Sequence, residues 1–333
     1  NAGVDFGLFN NRLTGSFDYY IRKTDDMVGP SEKLPVVLGT AVPSSNNTNL
    51  KTFGWELELM WKDRLNNGLN YSARFTLADS RTKITRYSNP SGLIDGFYAG
   101  KYVGEIWGYE TIGIAQSDQE MAEHIGRLIN GGQNNLGQDW KAGDIMYKDL
   151  NEDGKIDAGS RTLQDHGDLK RIGNSTPRYN VGLELAADWK RFDIRMFWQG
   201  TLKRDYFQGS YYFWGANGRQ GPWFSTALKG HDDYFRNDET SPLGTNLNSY
   251  YPRPLFNTDK NQQSQTKYLQ DASYLRLKNL QIGYSLPHNI VQKMGMQNLR
   301  IFASGENLFT ITSLIDCLLY TSPSPRDRQK SRM

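Results

Sequence analysis

Gly54-Trp-Glu-Leu-Glu-Leu-Met-Trp61, followed by Leu69-Asn-Tyr-Ser-Ala-Arg-Phe-Thr-Leu77, decides the fold class. In the first run Trp55, Leu57, Leu59 and Trp61 alternate with Gly54, Glu56 and Glu58. After Asp63-Arg-Leu-Asn-Asn-Gly68, Leu69, Tyr71, Ala73, Phe75 and Leu77 alternate with Asn70, Ser72, Arg74 and Thr76. A period of two puts one set on each face of a pleated strand, and the short Asn/Gly link makes the pair a hairpin.

The same pattern recurs on either side. Residues 2–9 and about 12–24 flank Asn10-Asn11, with Leu13, Gly15, Phe17, Tyr19 and Ile21 opposing Ser16, Asp18, Tyr20 and Arg22. Tyr179, Val181, Leu183, Leu185 and Ala187 lead into Phe192, Ile194, Met196 and Trp198. A fourth pair runs from Tyr274 to Ser285 and from Leu299 to Thr310, joined by residues 286–295, which read as a one- or two-turn helix. Eight strands result. In the seventh the apolar phase slips from Leu275 and Leu277 to Leu280, Ile282 and Tyr284, which predicts a bulge near Lys278-Asn279.

Between the pairs lie long connections, roughly residues 25–52, 86–177 and 202–273. Tight turns alternating with very long loops are unusual in soluble sandwiches and ordinary in transmembrane barrels. Strands of about 10–13 residues also suit a tilted crossing. Glu56, Glu58, Arg74, Glu184, Asp193 and Arg195 all fall opposite the apolar set, as a polar lumen requires. A polar-faced soluble sheet would show that alternation too, so the loop asymmetry carries the membrane reading. Tyr19, Tyr20, Trp55, Trp61, Trp189, Trp198 and Tyr284 are candidates for interfacial aromatic girdles.

Composition agrees. Aromatics make up 13% of the 333 residues, beside 33 Gly, and mean hydropathy is −0.68. No apolar run reaches the ~18 residues of a membrane helix, which leaves a strand-built membrane protein open. The chain opens inside a strand at Ala2-Gly-Val-Asp-Phe6, as expected for a fragment. From about Asp316 the text Cys317-Leu-Leu-Tyr-Thr-Ser-Pro-Ser-Pro-Arg-Asp327 loses the strand period and resembles translated sequencing adapter, so residues 1–315 are taken as barrel and 316–333 as a non-native tail. Setting the tail aside takes Lys+Arg from 39 to 35 and Asp+Glu from 36 to 34, so the net charge drops from +3 to +1. That balance points to no nucleic-acid partner. The single Cys goes with the tail, leaving no disulfide or thiolate chemistry.

Several ordered segments resemble the C-terminal part of SusC/RagA-type TonB-dependent outer-membrane transporters. They are Asp5–Thr24, Gly143–Asp157, Ile172–Tyr179, Tyr274–Pro287 and Leu299–Thr310, in the family's order, and the resemblance extends over about residues 1–315. The resemblance implies an all-β, transmembrane antiparallel barrel of about 22 strands closed by an N-terminal plug. This chain would supply about eight of those strands with long extracellular loops. The family imports oligosaccharides or peptides across the outer membrane of Gram-negative bacteria. It implies a SusD-like surface lipoprotein as lid, TonB acting through an N-terminal region, and contact with outer-membrane lipid. Plug, TonB-contacting segment and earlier strands are missing from the pattern here.

Asp149-Leu-Asn-Glu-Asp-Gly-Lys-Ile-Asp157 carries the clearest chemistry. Asp149, Asn151, Asp153 and Asp157 stand where alternate oxygen ligands of a calcium loop would, Gly154 at its sharp turn, and Lys155 would offer a carbonyl. Ser160 replaces the bidentate carboxylate, so a paired EF-hand is not expected. A weak calcium site, with Asp165 or Asp168 completing it, competes with an Asx/Gly turn that orders itself. Trp107, Tyr109, Tyr211, Tyr212, Trp214 and Trp223 are candidates for contact with a glycan or peptide substrate or with the lid, or for loop packing. His124, His166, His231 and His288 show no ligand spacing, and no nucleophile elbow or phosphate loop appears, so an enzyme is not expected. A stand-alone calcium-dependent surface receptor or adhesin is the alternative.

Overall fold

The computed structural model describes residues 1–31, 44–216, 222–225 and 227–314. The adapter-like stretch from Asp316 lies outside the described residues. In chain order the elements begin β1 (Ala2–Leu8), β2 (Leu13–Met27), β3 (Thr48–Arg64), β4 (Asn70–Arg86), β5 (Glu105–Tyr109), β6 (Thr111–Ile114) and α1 (Asp118–Arg127). They continue β7 (Ile145–Tyr147), β8 (Leu169–Asn174), β9 (Arg178–Trp189), β10 (Phe192–Lys203), β11 (Asp205–Phe207) and α2 (Tyr211–Trp214). The last are β12 (Leu269–Asp271), β13 (Tyr274–Ser285), α3 (His288–Lys293) and β14 (Arg300–Thr312).

One antiparallel sheet of eight strands runs β1-β2-β3-β4-β9-β10-β13-β14. These are the eight strands expected from the period, in meander order, with the three long connections inserted between neighbours. Short links lie at one end: residues 9–12, 65–69, 190–191 and the α3 turn. Long connections lie at the other.

Register sorts the faces. Val4, Phe17, Leu57, Leu77, Val181, Gly200, Leu275 and Ile311 form one row across all eight strands. The adjacent row, Asp5, Ser16, Glu58, Thr76, Gly182, Gln199, Arg276 and Thr310, turns to the opposite face. The apolar residues thus share one side of the wall, and among the described residues no other element packs over that side. Phe17, Ile282 and Ile311 are 43%, 49% and 59% exposed. On the polar face Arg74 pairs with Glu58 at 2.8 Å, and Arg300 pairs with Asp193.

The bulge falls where the phase slip placed it. Register against β10 jumps between Asn279 and Leu277, so Lys278 is the extra residue. It restores Leu280, Ile282 and Tyr284 to the apolar face beside Met196, Ile194 and Phe192. Without it the lower half of β13 would present Gln281 and Gly283 to that face.

Two expectations need correction. Strands β3 and β4 have 17 residues and β2 has 15, beyond the predicted 10–13. Seventeen residues tilted by ~40° rise about 44 Å, while an apolar band is about 25 Å tall, so these strands project past it at the long-loop end. Among the girdle candidates, Tyr20 pairs opposite Gly54 on the polar face, where its hydroxyl would lie 2.7 Å from a Cβ at that glycine. Trp198 sits mid-band, edge-on to Phe309 at 5.2 Å. Tyr179, which is not among those candidates, and Trp189, which is, stand at the two ends of β9 where girdle residues belong. Ten positions apart, they are about 33 Å apart along the strand and about 25 Å across a membrane at that tilt.

A charge placed at mid-band on the apolar face should therefore be costly. Leu183→Arg is expected to lose about 2–4 kcal/mol in equilibrium unfolding from lipid vesicles, while Glu184→Gln on the polar face loses less than about 1 kcal/mol. Equal losses would mean the faces are assigned wrongly.

Candidate functional site

The buried core of the molecule is outside the wall. It lies in two of the long connections, where residues 87–177 and the described residues of 204–273 fold together as a cap over the long-loop end. Tyr147 and Tyr268 are fully buried, with Phe213, Trp214, Tyr251, Tyr109, Ile145 and Ile156 around them. The rings meet edge to face: Trp214–Tyr268 at 4.6 Å and Phe213–Tyr251 at 5.5 Å. Such pairs add to the area they bury.

Backbone pairing interleaves the two connections. Tyr109 N donates to Ser264 O at 2.8 Å and Thr266 N to Tyr109 O at 3.0 Å. Ribbons β5–β8, β6–β7 and β11–β12 give the cap its local order. Helix α1 is started by Ser117, whose Oγ accepts from Glu120 N at 3.1 Å, while Glu120 Oε2 accepts from Gln116 N at 2.7 Å. The projecting end of β4 anchors the cap to the wall through Ile84 N to Lys101 O and Gly100 N to Ile84 O, both 2.8 Å.

At the junction sits Asp144, with no solvent exposure. Arg253 grips it with Nε on Oδ1 and Nη2 on Oδ2, both 2.7 Å. Lys260 Nζ lies 2.9 Å from Oδ2, and Asn261 Nδ2 donates to Oδ1 at 2.9 Å. Lys260, 1% exposed, donates also to the carbonyls of Gln138 and Asp139 and lies 4.5 Å over the Trp140 ring. Burial works to raise the Asp144 carboxyl, but its donors Arg253, Lys260 and Asn261 hold it below the ordinary value. Burial pulls the Lys260 ammonium down, with Asp144 opposing. Tyr147 extends the junction, its hydroxyl donating to Lys260 O at 2.7 Å and its amide to Gln133 Oε1 at 2.6 Å.

The Asp149–Asp157 loop packs onto this core through Ile156, fully buried. Gly154 adopts φ +79°, and its amide donates to Asp149 Oδ2 at 2.9 Å. Asn151 Oδ1 accepts from Asp153 N, Asp153 Oδ1 from Lys155 N, and Asp157 Oδ1 from Gly159 N. Lys155 Nζ bonds Asp157 at 2.6 Å. Asp168, fully buried, accepts from Leu150 N at 2.7 Å and Asp157 N at 2.9 Å, clamping both ends of the loop. Asp165 instead closes its own turn with Ser160. Burial, with the charges of Asp149 and Asp153, pushes the Asp168 carboxyl up despite those two amides. Asp149 Oδ1 is buried without a partner. Among the described residues no three His, Cys, Asp or Glu side chains gather as a ready metal site.

The aromatic candidates divide. Tyr109 and Trp214 are core residues at 4% and 6% exposure, and burial pushes the Tyr109 phenol up to about 12. Trp107 packs against the core, 5.4 Å from the His166 ring. Tyr212 is half exposed and Trp223, in the turn Pro222–Phe224, is 91% exposed. The Tyr211 side chain lies outside the described ones. Beside Trp214 opens a cavity of about 240 Å³ walled by Tyr234, Tyr251, Pro252, Pro254, Leu255 and Phe256.

Wall and cap together define a transmembrane β-barrel segment with a folded cap at its long-loop end. No family model matches the chain. It is 29% identical over 325 residues to TonB-dependent receptor P3 of Formosa agariphila, covering 94% of this chain and 29% of that protein. To TonB-dependent receptor SusC of Bacteroides thetaiotaomicron it is 24% identical over 321 residues, covering 94% and 28%. The structure of the RagAB peptide transporter superposes with a TM-score of 0.64 at 22% identity, covering 94% of this chain and 31% of that one. Over 94% of its length the chain is thus similar to a portion of TonB-dependent receptors of the SusC/RagA type, which are proteins of the Gram-negative outer membrane. It spans about 30% of the length of the relatives it matches. The long-loop end is accordingly extracellular.

Asp144→Asn should cost the cap about 3–5 kcal/mol, because Lys260 and Arg253 lose their counter-charge in a buried setting. A depressed carboxylate gives its stability above the unfolded value of about 3.9 and loses it as pH falls below that. Amide exchange at 144–147 and 260–266 in the full receptor should therefore speed up in the variant at neutral pH and in the parent protein below about pH 4, with wall strands still protected. Unchanged cap exchange would remove Asp144 from this role.

Proposed function

We propose that this chain forms wall and extracellular cap of an importer that takes up oligosaccharides or peptides, energised by TonB and closed by a SusD-like surface lipoprotein. The observation that carries the reading is a cap with its own core and a cavity, set over a barrel wall. Import, TonB coupling and the lipoprotein come from the family likeness. The exposed Trp223 and Tyr212 supply aromatic contact area suited to a lid protein. A stand-alone adhesin would not account for the likeness to TonB-dependent receptors.

Between the two substrate classes the cavity favours peptide. Arg253 and Asn261 are committed to Asp144, Gln262 Nε2 to Ala216 O, and His231 to Phe213 O and Leu228 N. A sugar ring would bring hydroxyls against a wall where Asp232 is the one lining carboxylate and the amides, guanidinium and imidazole are engaged, whereas an apolar side chain loses nothing there. Phe256, 44% exposed, stands at the cavity rim. In the full receptor with its lipoprotein, Phe256→Ala should weaken binding of peptides rich in apolar residues about tenfold with unchanged melting temperature. Loss of oligosaccharide binding alone would reverse the assignment.

Calcium at the Asp149–Asp157 loop is a second proposal, supported by the alternating oxygens and the partnerless Asp149 Oδ1. Because amides and Lys155 already engage most of those oxygens, affinity in the weak range of about 10⁻⁴–10⁻³ M is expected. Calorimetry of the full receptor should show calcium heat that Asp149→Asn removes. No heat at millimolar calcium, together with no effect of Asp153→Ala, would leave a self-ordered turn.

A further inference from the structure

Three lysines stand directly opposite one another on adjacent strands, Lys23 on β2, Lys51 on β3 and Lys83 on β4. Their row has the parity of Trp55, Leu57 and Leu59, so they are on the lipid-facing side of the wall. One row below, toward the membrane, come Ile21, Phe53 and Arg81, and below those Tyr19, Trp55 and Asp79. Asp79 is spoken for by Arg178. Among the described residues no carboxylate bonds Lys23, Lys51, Lys83 or Arg81.

Like charges placed directly across a sheet repel, so this row is destabilising unless something anionic lies on it. Its height says what. Trp55 pairs with Asp79, level with the girdle residue Tyr179, and four positions beyond it is about 13 Å along a strand and about 10 Å along the membrane normal at ~40° tilt, which is headgroup level. The row spans two strand spacings, about 10 Å, enough for more than one phosphate. Beside it an open hollow of about 480 Å³ is lined by Lys51, Phe53, Lys83 and Tyr102. Tyr102 fixes the neighbouring cation, with the Arg81 guanidinium 4.1 Å from its ring and Phe53 edge-on at 6.3 Å. Apolar residues below and ammonium groups above match an acylated, phosphorylated lipid better than a soluble anion.

We infer that Lys23, Lys51, Lys83 and Arg81 form a binding site for the phosphate groups of an outer-leaflet lipid, whose acyl chains lie along Phe53, Trp55 and Leu57. Each amine donates charge-assisted hydrogen bonds to phosphate oxygen, and the bound lipid cancels the repulsion within the row.

The full receptor in detergent, titrated by native mass spectrometry, tests this. A diphosphorylated lipid A should bind about a hundredfold tighter to the parent protein than to the Lys23→Gln/Lys51→Gln/Lys83→Gln variant, at about 1 kcal/mol per lysine. The same lipid with its phosphates removed should bind both proteins equally and weakly. The Lys→Arg triple should retain tight binding, and the Gln triple without lipid should melt no lower than the parent, which separates loss of the site from misfolding. Equal affinity for phosphorylated and dephosphorylated lipid, or for parent and Gln triple, would overturn the site. Displacement of the lipid by millimolar inorganic phosphate would also overturn it, marking a free-anion site.

Discussion

Asp144 is the buried charge through which the two long connections of the extracellular cap are joined. A carboxylate with no exposure must be paired and hydrogen-bonded or it will not stay ionised. Here the partners come from far along the chain, Arg253, Lys260 and Asn261, so satisfying one buried charge brings the two long connections together. Each partner is in turn held: Lys260 by two carbonyls and the Trp140 face, Arg253 by the Asp139 carbonyl. Joined, they enclose Tyr147 and Tyr268 and become a folded cap.

Wall and cap obey different rules. In the wall, local alternation decides everything, since a shift of one residue exchanges lipid-facing and lumen-facing sets along a whole strand. The Lys278 bulge shows how strict this is, because one inserted residue repairs the phase in mid-strand. In the cap, alternation carries little information and long-range polar pairing decides. The two meet on the projecting ends of β3 and β4, where Ile84 exchanges hydrogen bonds with the 100–101 turn. Their length, beyond what a membrane crossing needs, is explained by that second task.

This division sets what was legible in the sequence. All eight wall strands, the four hairpin pairings, the bulge and the α3 turn follow from residues near one another in the chain. Strand ends at Met27, Thr48 and Arg86 did not, because past the membrane the alternation of Trp55 and Leu57 gives way to Lys51, Arg81 and Lys83. The fold of the cap was hidden for a related reason: Asp144 and Arg253 are 109 residues apart, and no local pattern announces their meeting. Tyr109 and Trp214 were picked out as aromatic, but only burial separates a core ring from a contact ring such as Trp223.

The Asp149–Asp157 loop shows the two kinds of information in one segment. Its Asx bonds and the positive φ of Gly154 are local and could be read from Asp, Asn and Gly spacing. Its attachment is not local. Ile156 reaches the aromatic core, its amide donates to Gly132 O at 2.7 Å, and Asp168 fastens both ends. A cation there would act on a loop already tied to the same core that Asp144 organises. Ile156 thereby belongs to the same buried cluster as Tyr147 and Trp214, which makes the loop part of the cap's core rather than an appendage to it.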